Sequence, residues 1–341
     1  MKEPIKLIGN VASPYTRKMV AYLRYKRIPY EVIWGQPEEV LQKMNIEPPK
    51  PILLPVFILD RDGQATAVTD STPLIREFEE KYPDRSVLPK DPALNFINFI
   101  LEDFGDEWCT KFMFHYRWHF DEDADNAGTI LPLGINSALK DDELAFFKEH
   151  FAKRQIDRLW VVGSNDDTAE FIDKSYKNVL SIFEDHFKNH PFLLGNFPTS
   201  CDFAVYGQFT QLVGFDPTPR RIAHEISPRT VAYVNTLDDR GGLDYVEENN
   251  TIDSLSNSIH DLFKELATSY VPTMIENHKA IREGKKEWSV DLAGYPWKQK
   301  SFPYQAKCLD WIRDEFRDLD NENQEKVLSF LTTTNCQSLV E

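Results

Sequence analysis

The chain has 341 residues, 41% hydrophobic and 28% charged, and its 39 basic against 55 acidic side chains give a formal charge of −16. At roughly 150 residues per domain, this length implies two domains with room for a small addition, and a core that needs neither disulfide nor metal to hold it. So acidic a surface repels phosphate backbones and anionic lipid, which argues against nucleic-acid and membrane-surface binding.

The first 85 residues alternate between strand and helix patterns. Ile5–Gly9 reads as a strand, and Ser13-Pro14 opens a helix running to about Arg27, with Ser as N-cap and Pro preorganised for the first helical position. Tyr30–Trp34 is a second strand, so the unit is βαβ with parallel strands. After an intervening segment, Leu54–Asp60 and Ala65–Thr69 flank the Asp62-Gly63 turn as a hairpin, and Asp70-Ser71 caps a helix over Leu74–Tyr82. This order is that of a thioredoxin-like domain, residues 1–83. A proline-rich linker follows. From residue 92 to 250 the periodicity is helical: a broad apolar face over Ala93–Phe120, a break at Asp121–Gly128, helices over Asp142–Leu159 and Thr168–Asn189, a capping box at Thr199 and Asp202, and a helix from Ser227-Pro228. The last stretch, 251–341, predicts a helix over Leu255–Arg282 broken at Pro272, a hairpin around Ala293-Gly294, and helices over Tyr304–Leu319 and Glu322–Leu331. Its many aromatic residues need a surface, so it is expected to pack on the helical domain.

Cys109, Cys201, Cys308 and Cys336 lie far apart without metal-ligand spacing and read as reduced thiols of a cytoplasmic protein. No signal-peptide pattern opens the chain, and the longest apolar run, near Ile52–Leu59, is far below the ~18 residues of a membrane span.

Three positions in the first domain carry chemistry. Ser13 sits at a helix N-terminus, where free N–H groups and the helix dipole favour an anion and where a hydroxyl can hydrogen-bond a thiolate; taken alone, it is also an ordinary cap. Pro55, opening a strand before Val56, fits a cis bond that turns a backbone edge towards a peptide-like ligand, and equally an ordinary trans edge proline. Asp70 and Ser71, at a second helix N-terminus, can hold an ammonium and a carboxylate together or serve as a plain cap.

Ser13-Pro14-Tyr15, Leu54-Pro55-Val56 and Asp70-Ser71, in this order and followed by a helical domain with the Thr199/Asp202 box, resemble the glutathione S-transferase superfamily. The resemblance covers Ile5 to about Val246. It implies that glutathione binds as substrate in the first domain, with Ser13 activating its thiol, Val56 after a cis Pro55 pairing with the cysteinyl backbone, and Asp70 and Ser71 holding the γ-glutamyl end. A hydrophobic electrophile would lie between the domains, and the chain would be a homodimer. Tyr15, two residues on, is a second candidate for the activating hydroxyl. Arg17 either forms a surface salt bridge or lends positive potential to the thiolate. Trp108, Phe112 and Tyr116 form a stripe that is either core or the lining of the electrophile pocket. The chain is longer than most members, and Ser rather than Cys at position 13 disfavours disulfide exchange.

Two patterns imitate metal sites. Asp121–Asp125 alternates carboxylates like a calcium loop but has Asn126 and Pro132 where that loop needs Gly and Glu, so it reads as a solvated loop. His115 and His119 have zinc-helix spacing without a third ligand and read as a packed or ligand-facing pair. Two functions follow: an enzyme joining the glutathione thiolate to an electrophile, or a non-catalytic binding or scaffold protein on the same fold.

Overall fold

The structure, a computed structural model, describes residues 3–246 and 248–341; Met1 and Lys2, which open the first expected domain, and Glu247, near the end of the second, lie outside it. Strand β1 (Ile5–Gly9), helix α1 (Pro14–Tyr25) and strand β2 (Tyr30–Trp34) form a βαβ unit with β1 and β2 parallel, Leu7 opposite Val32. Helix α2 (Pro37–Met44) follows, unannounced by periodicity because only Pro37 and Leu41 of its eight residues are buried. Strands β3 (Val56–Arg61) and β4 (Gln64–Val68) make an antiparallel hairpin, and α3 (Ser71–Lys81) completes the unit. The sheet order β2-β1-β3-β4, with β3 antiparallel to β1, is thioredoxin-like.

An all-helical part follows. Helix α4 (Pro92–Asp103) passes through a π-helical turn over 104–108 into α5 (Cys109–His119), so the single apolar face expected over 93–120 is carried by two helices. One extra residue per turn shifts the phase of that face, which is why its spacing mixes threes and fours. Asp121–Gly128 is not a loop. It begins α6 (Asp121–Ile135), whose first turn carries Asp121, Glu122 and Asp123, where negative charge meets the positive end of the helix dipole. Helices α7 (Asp141–Ile156), α8 (Ala169–His186), α9 (Ser200–Gly214), α10 (Pro217–Ile226) and α11 (Pro228–Leu237) complete this part. The capping box at the start of α9 is formed: Asp202 accepts from the Thr199 backbone N–H at 2.8 Å.

The remaining segment contains α12 (Asn257–Thr268), α13 (Tyr270–Arg282), strands β5 (Glu287–Leu292) and β6 (Tyr295–Lys300), then α14 (Pro303–Asp318) and α15 (Asn321–Thr333). The break between α12 and α13 falls at Ser269 rather than Pro272. Pro272 lies in the first turn of α13, where a missing N–H leaves no bond unmade. The hairpin turns on Ala293 and Gly294, both at positive φ, as a two-residue turn matched to strand twist requires.

One apolar core runs through all three segments, joining Leu7 and Tyr22 to Phe104 and Trp108 and on to Trp297 and Leu309. The indoles of Trp108 and Trp297 lie 5.6 Å apart. Helix α1 packs along α9 at close range: a Cβ on Gly207 would stand 2.5 Å from the Pro14 carbonyl oxygen, so only glycine lets α9 meet the start of α1.

Candidate functional site

Ser13 is the N-cap of α1, half-buried, and its Oγ accepts from the Thr16 N–H at 3.2 Å. That bond uses a lone pair and leaves the hydroxyl hydrogen to a separate acceptor. The Leu54-Pro55 bond is cis, and Val56 pairs with Ile8 of β1, whereas the pairing of β3 with β4 begins one residue on, at Phe57. Asp70 precedes α3 at φ 84°, ψ 106°, a left-handed conformation that a non-glycine residue adopts only where its surroundings impose it. Its carboxylate does not cap α3. It accepts instead from the Tyr304 hydroxyl of α14 at 3.1 Å. Ser71 is buried at the head of the same helix.

The neighbours of Ser13 face elsewhere. The Tyr15 hydroxyl donates to the Asp106 carbonyl at 2.8 Å, and burial raises its pKa well above the phenol range, so its one hydrogen is committed there. Arg17 ion-pairs with Asp238 and also donates to the Tyr206 hydroxyl at 3.2 Å. Its guanidinium thus bridges α9, through Tyr206, and the residue that ends α11, Asp238.

Trp108, Phe112 and Tyr116 do not line an open pocket. All three are fully buried, Trp108 beneath Trp297 and Phe171, Phe112 and Tyr116 against Tyr176. The β5–β6 hairpin supplies the Trp297 that covers Trp108, so the apolar surface is satisfied within the chain. His115 and His119 are a packed pair, rings stacked at 4.6 Å, with His115 Nδ1 2.7 Å from Ser164 Oγ. Among the described residues, no group of three or more His, Cys, Asp or Glu side chains could hold a metal ion, and no helix is long and apolar enough to cross a membrane. The four thiols are free and buried.

What lies between the two parts is a buried ionic network that motif reading missed. Lys18 of α1, 1% exposed at its side chain, places Nζ 2.8 Å from Glu102 and 2.6 Å from Asp106. Glu102 also pairs with Arg76 of α3. Burial alone would raise the Glu102 pKa, but Arg76 and Lys18 outweigh it and hold the carboxyl down at about 2. The signal in the sequence is Glu102, Asp103, Asp106 and Glu107 inside an apolar stripe: carboxylates at core positions demand a buried cation. Beside the network is a recess of about 10 Å3, the space one water needs, bordered by Thr72, Asp103, Asp106, Tyr304, Cys308 and Trp311. Gln305 of α14 donates to the Glu107 carbonyl at 3.3 Å, so α14 bridges the Asp70 end of the site and the π-helical turn. A larger groove of about 260 Å3, between the linker and the Phe197-Pro198 loop, contains none of the predicted site residues.

Asp103 accepts from the Tyr270 hydroxyl, and burial, reinforced by the Asp106 charge, pushes its pKa up to about 7. The unfolded carboxyl loses its proton near pH 4 and the folded one holds it to about 7. Stability from this group is therefore lost as pH rises through that interval. Asp103→Asn keeps an acceptor and removes the titration, so its melting temperature relative to the parent is expected to climb from pH 4 to pH 7 and then level off. A constant difference across that range in thermal scans would refute this.

A family model described as glutathione S-transferase, N-terminal domain, matches residues 7–86. No curated protein matches the chain. Solved structures with similarity include FzlA from C. crescentus, at 15% identity over 70% of this chain and 89% of that one, with a TM-score of 0.43. A glutathione S-transferase from Rhodospirillum rubrum F11 has 18% identity over 72% and 95%, with a TM-score of 0.43. A glutathione transferase family member from Pseudomonas fluorescens Pf-5, with two glutathiones bound, has 15% identity over 70% and 92%, with a TM-score of 0.44. The matched segment, under a quarter of the chain, contains the whole thioredoxin-like sheet beyond its first two residues, together with Ser13, Pro55, Val56, Asp70 and Ser71, and over that segment the chain is similar to the glutathione S-transferase N-terminal domain.

Proposed function

We propose that the protein is a glutathione transferase-like enzyme that joins the glutathione thiolate to a hydrophobic electrophile. In this reading the tripeptide lies along the edge running from Ser13, past Val56, to Asp70 and Ser71. The observation that carries it is Ser13 itself: its lone pair caps α1, its hydrogen remains to be donated, and the α1 dipole adds to a thiolate's stabilisation at that point. Tyr15, with its hydrogen given to Asp106, is not the activating hydroxyl. The Asp70 carboxylate, freed from capping, takes the γ-glutamyl ammonium, and Ser71 at the head of α3 takes the carboxylate. Attack then requires proximity and a stabilised thiolate, with no proton moved in the bond-forming step.

Ser13→Ala is expected to fold normally and to lose roughly ten- to a hundredfold in kcat/KM for conjugation to an aryl halide, the worth of about 1–3 kcal/mol for one hydrogen bond to sulfur. Equal kcat/KM for variant and parent between about pH 6 and 9 would remove Ser13 from the mechanism.

Two observations favour the second reading, a non-catalytic binding or scaffold protein: the aromatic stripe meant for the electrophile is sealed, and Tyr304 already occupies Asp70. Retention on immobilised glutathione without conjugating activity would select that reading. Retention with activity that Ser13→Ala abolishes would select the enzyme.

A further inference from the structure

A hydroxyl at a helix N-cap is placed only as well as the backbone before it is held. In the loop from β1 to α1 the N–H groups are satisfied locally: Ala12 donates to the Asn10 side-chain oxygen at 2.9 Å and Ser13 to the Asn10 carbonyl at 3.0 Å. The carbonyls are held from the helical part. Ala12 accepts from Arg117 Nη1 of α5 at 3.2 Å, and the Gln211 amide of α9 reaches the Val11 carbonyl at 3.5 Å. Immediately beyond Ser13, the Pro14 carbonyl fills the space that Gly207 leaves open on α9. Ser13 is thus clamped on both sides by elements of the other part.

Arg117 is built for rigidity. Its side chain is 5% exposed, and that of Asp216, at the head of α10, is fully buried. Nε lies 3.0 and 3.1 Å from the two Asp216 oxygens, and Nη2 lies 3.0 Å from Asp216 and 2.8 Å from Gln211 Oε1. Asp216 neutralises the guanidinium and makes no side-chain cap on α10. The planar fork, anchored on that side, fixes where Nη1 stands. Satisfying the Ala12 carbonyl is not reason enough for this arrangement. Val11 is 50% exposed and Ala12 half-buried, so water would serve that oxygen nearly as well. What a buried arginine adds, and water does not, is a fixed position.

We infer that Arg117 is a positioning residue for Ser13: with Gln211 as its brace, it holds the Ala12–Ser13 peptide against the helical part and so keeps the Ser13 hydroxyl in place for a bound thiol. The inference rests on the reading of Ser13 as the group that stabilises the glutathione thiolate, and not on whether conjugation follows. A hydrogen bond to sulfur is short-ranged, and a misplacement of about 1 Å can cost about a hundredfold. Lysine is no substitute here. Its ammonium is a single point that can pair with Asp216 but cannot also grip Gln211 and Ala12 in one plane.

The test titrates the thiol of glutathione bound to the full chain, by thiolate ultraviolet absorbance against pH, which needs no electrophile. Arg117→Lys is expected to raise that thiol's pKa by about one unit, a roughly tenfold loss of thiolate at neutral pH. In a Ser13→Ala background the same substitution is expected to add nothing, because the group it positions is gone. Gln211→Met leaves the Arg117–Asp216 pair intact and is expected to shift the pKa the same way by less, so it decides the matter if Arg117→Lys does not fold. If Ser13→Ala raises the pKa but folded Arg117→Lys leaves it unmoved, or in its place Gln211→Met does, this inference alone is overturned. An Arg117→Lys shift that persists in full without the Ser13 hydroxyl overturns it too. A parent that binds no glutathione, or a Ser13→Ala variant with the parent's thiol pKa, overturns the reading of Ser13 and this inference with it.

Discussion

Lys18→Met is expected to destabilise the protein by about 3–5 kcal/mol, the usual cost of removing one partner from a buried ion pair and leaving the other charged. Lys18 serves two carboxylates, and both sit in the seam between the thioredoxin-like unit and the helices. Glu102 keeps Arg76 when Lys18 is gone, but Asp106 keeps no cation, only the Thr72 hydroxyl at 3.3 Å. One Asp106 oxygen, Oδ1, is already buried without a partner, so that group has no reserve of hydrogen bonds to absorb the loss. At about 2–4 °C per kcal/mol for a larger domain, the melting temperature should fall by roughly 10 °C. The defect should shrink at acid pH. In the parent the depressed Glu102 pKa contributes stability that is present above the ordinary carboxylate range and lost as pH falls towards 2, and in the variant protonation relieves the same groups. A Lys18→Met protein within a degree of the parent at neutral pH would mean that water, not lysine, balances these charges.

A larger effect is expected from truncation after Asn250. The segment beyond it contributes Trp288, Leu292, Trp297, Leu309, Ile312 and Leu331 to the common core, each 6% exposed or less. Its aromatic contacts are with the central helices: Trp297 on Trp108, Tyr270 on Phe104 at 6.2 Å, and Phe316 on Phe96 at 5.7 Å. Each of those large side chains is worth about 1.5–3 kcal/mol buried, so losing several exceeds the roughly 5–15 kcal/mol by which a typical protein is stable. The truncated chain should be insoluble, or bind a hydrophobic dye and unfold without cooperativity. Soluble expression with the parent's melting temperature would show the segment to be a separable module.

These two expectations differ in how visible they were beforehand. The tail's need for a surface is written in its aromatic content, and the thioredoxin-like unit in local signals: Ser13-Pro14 at a cap, Asp62-Gly63 in a turn, and strands that alternate or stay apolar. Such signals act over a few residues and survive without tertiary context. Lys18 is different. A lysine between Arg17 and Met19 on a surface-like helix acquires meaning only from Glu102 and Asp106, more than 80 positions away. The same distance hides the partner of Arg17, which is Asp238, and the cover of Trp108, which is Trp297. Asp121–Asp125 failed for a local reason: aspartate is a poor helix former in general and a good one in a first turn, and composition alone does not say which applies. The link between Tyr304 and Asp70 joins two residues that no spacing rule connects.

The contact between Trp108 and Trp297 has a consequence for biosynthesis. The two residues are 189 positions apart, and at about 5–20 residues per second a ribosome needs roughly 10–40 s to make the second after the first. Late in that interval the nascent helical part still lacks the Trp297 cover of its central indole, although the sheet and most helices have by then been made. The chain thus passes through a long-lived, apolar-faced intermediate each time it is made. Its yield in a cell should depend on chaperone supply and on translation speed across the β5–β6 hairpin more than on the stability of the finished fold.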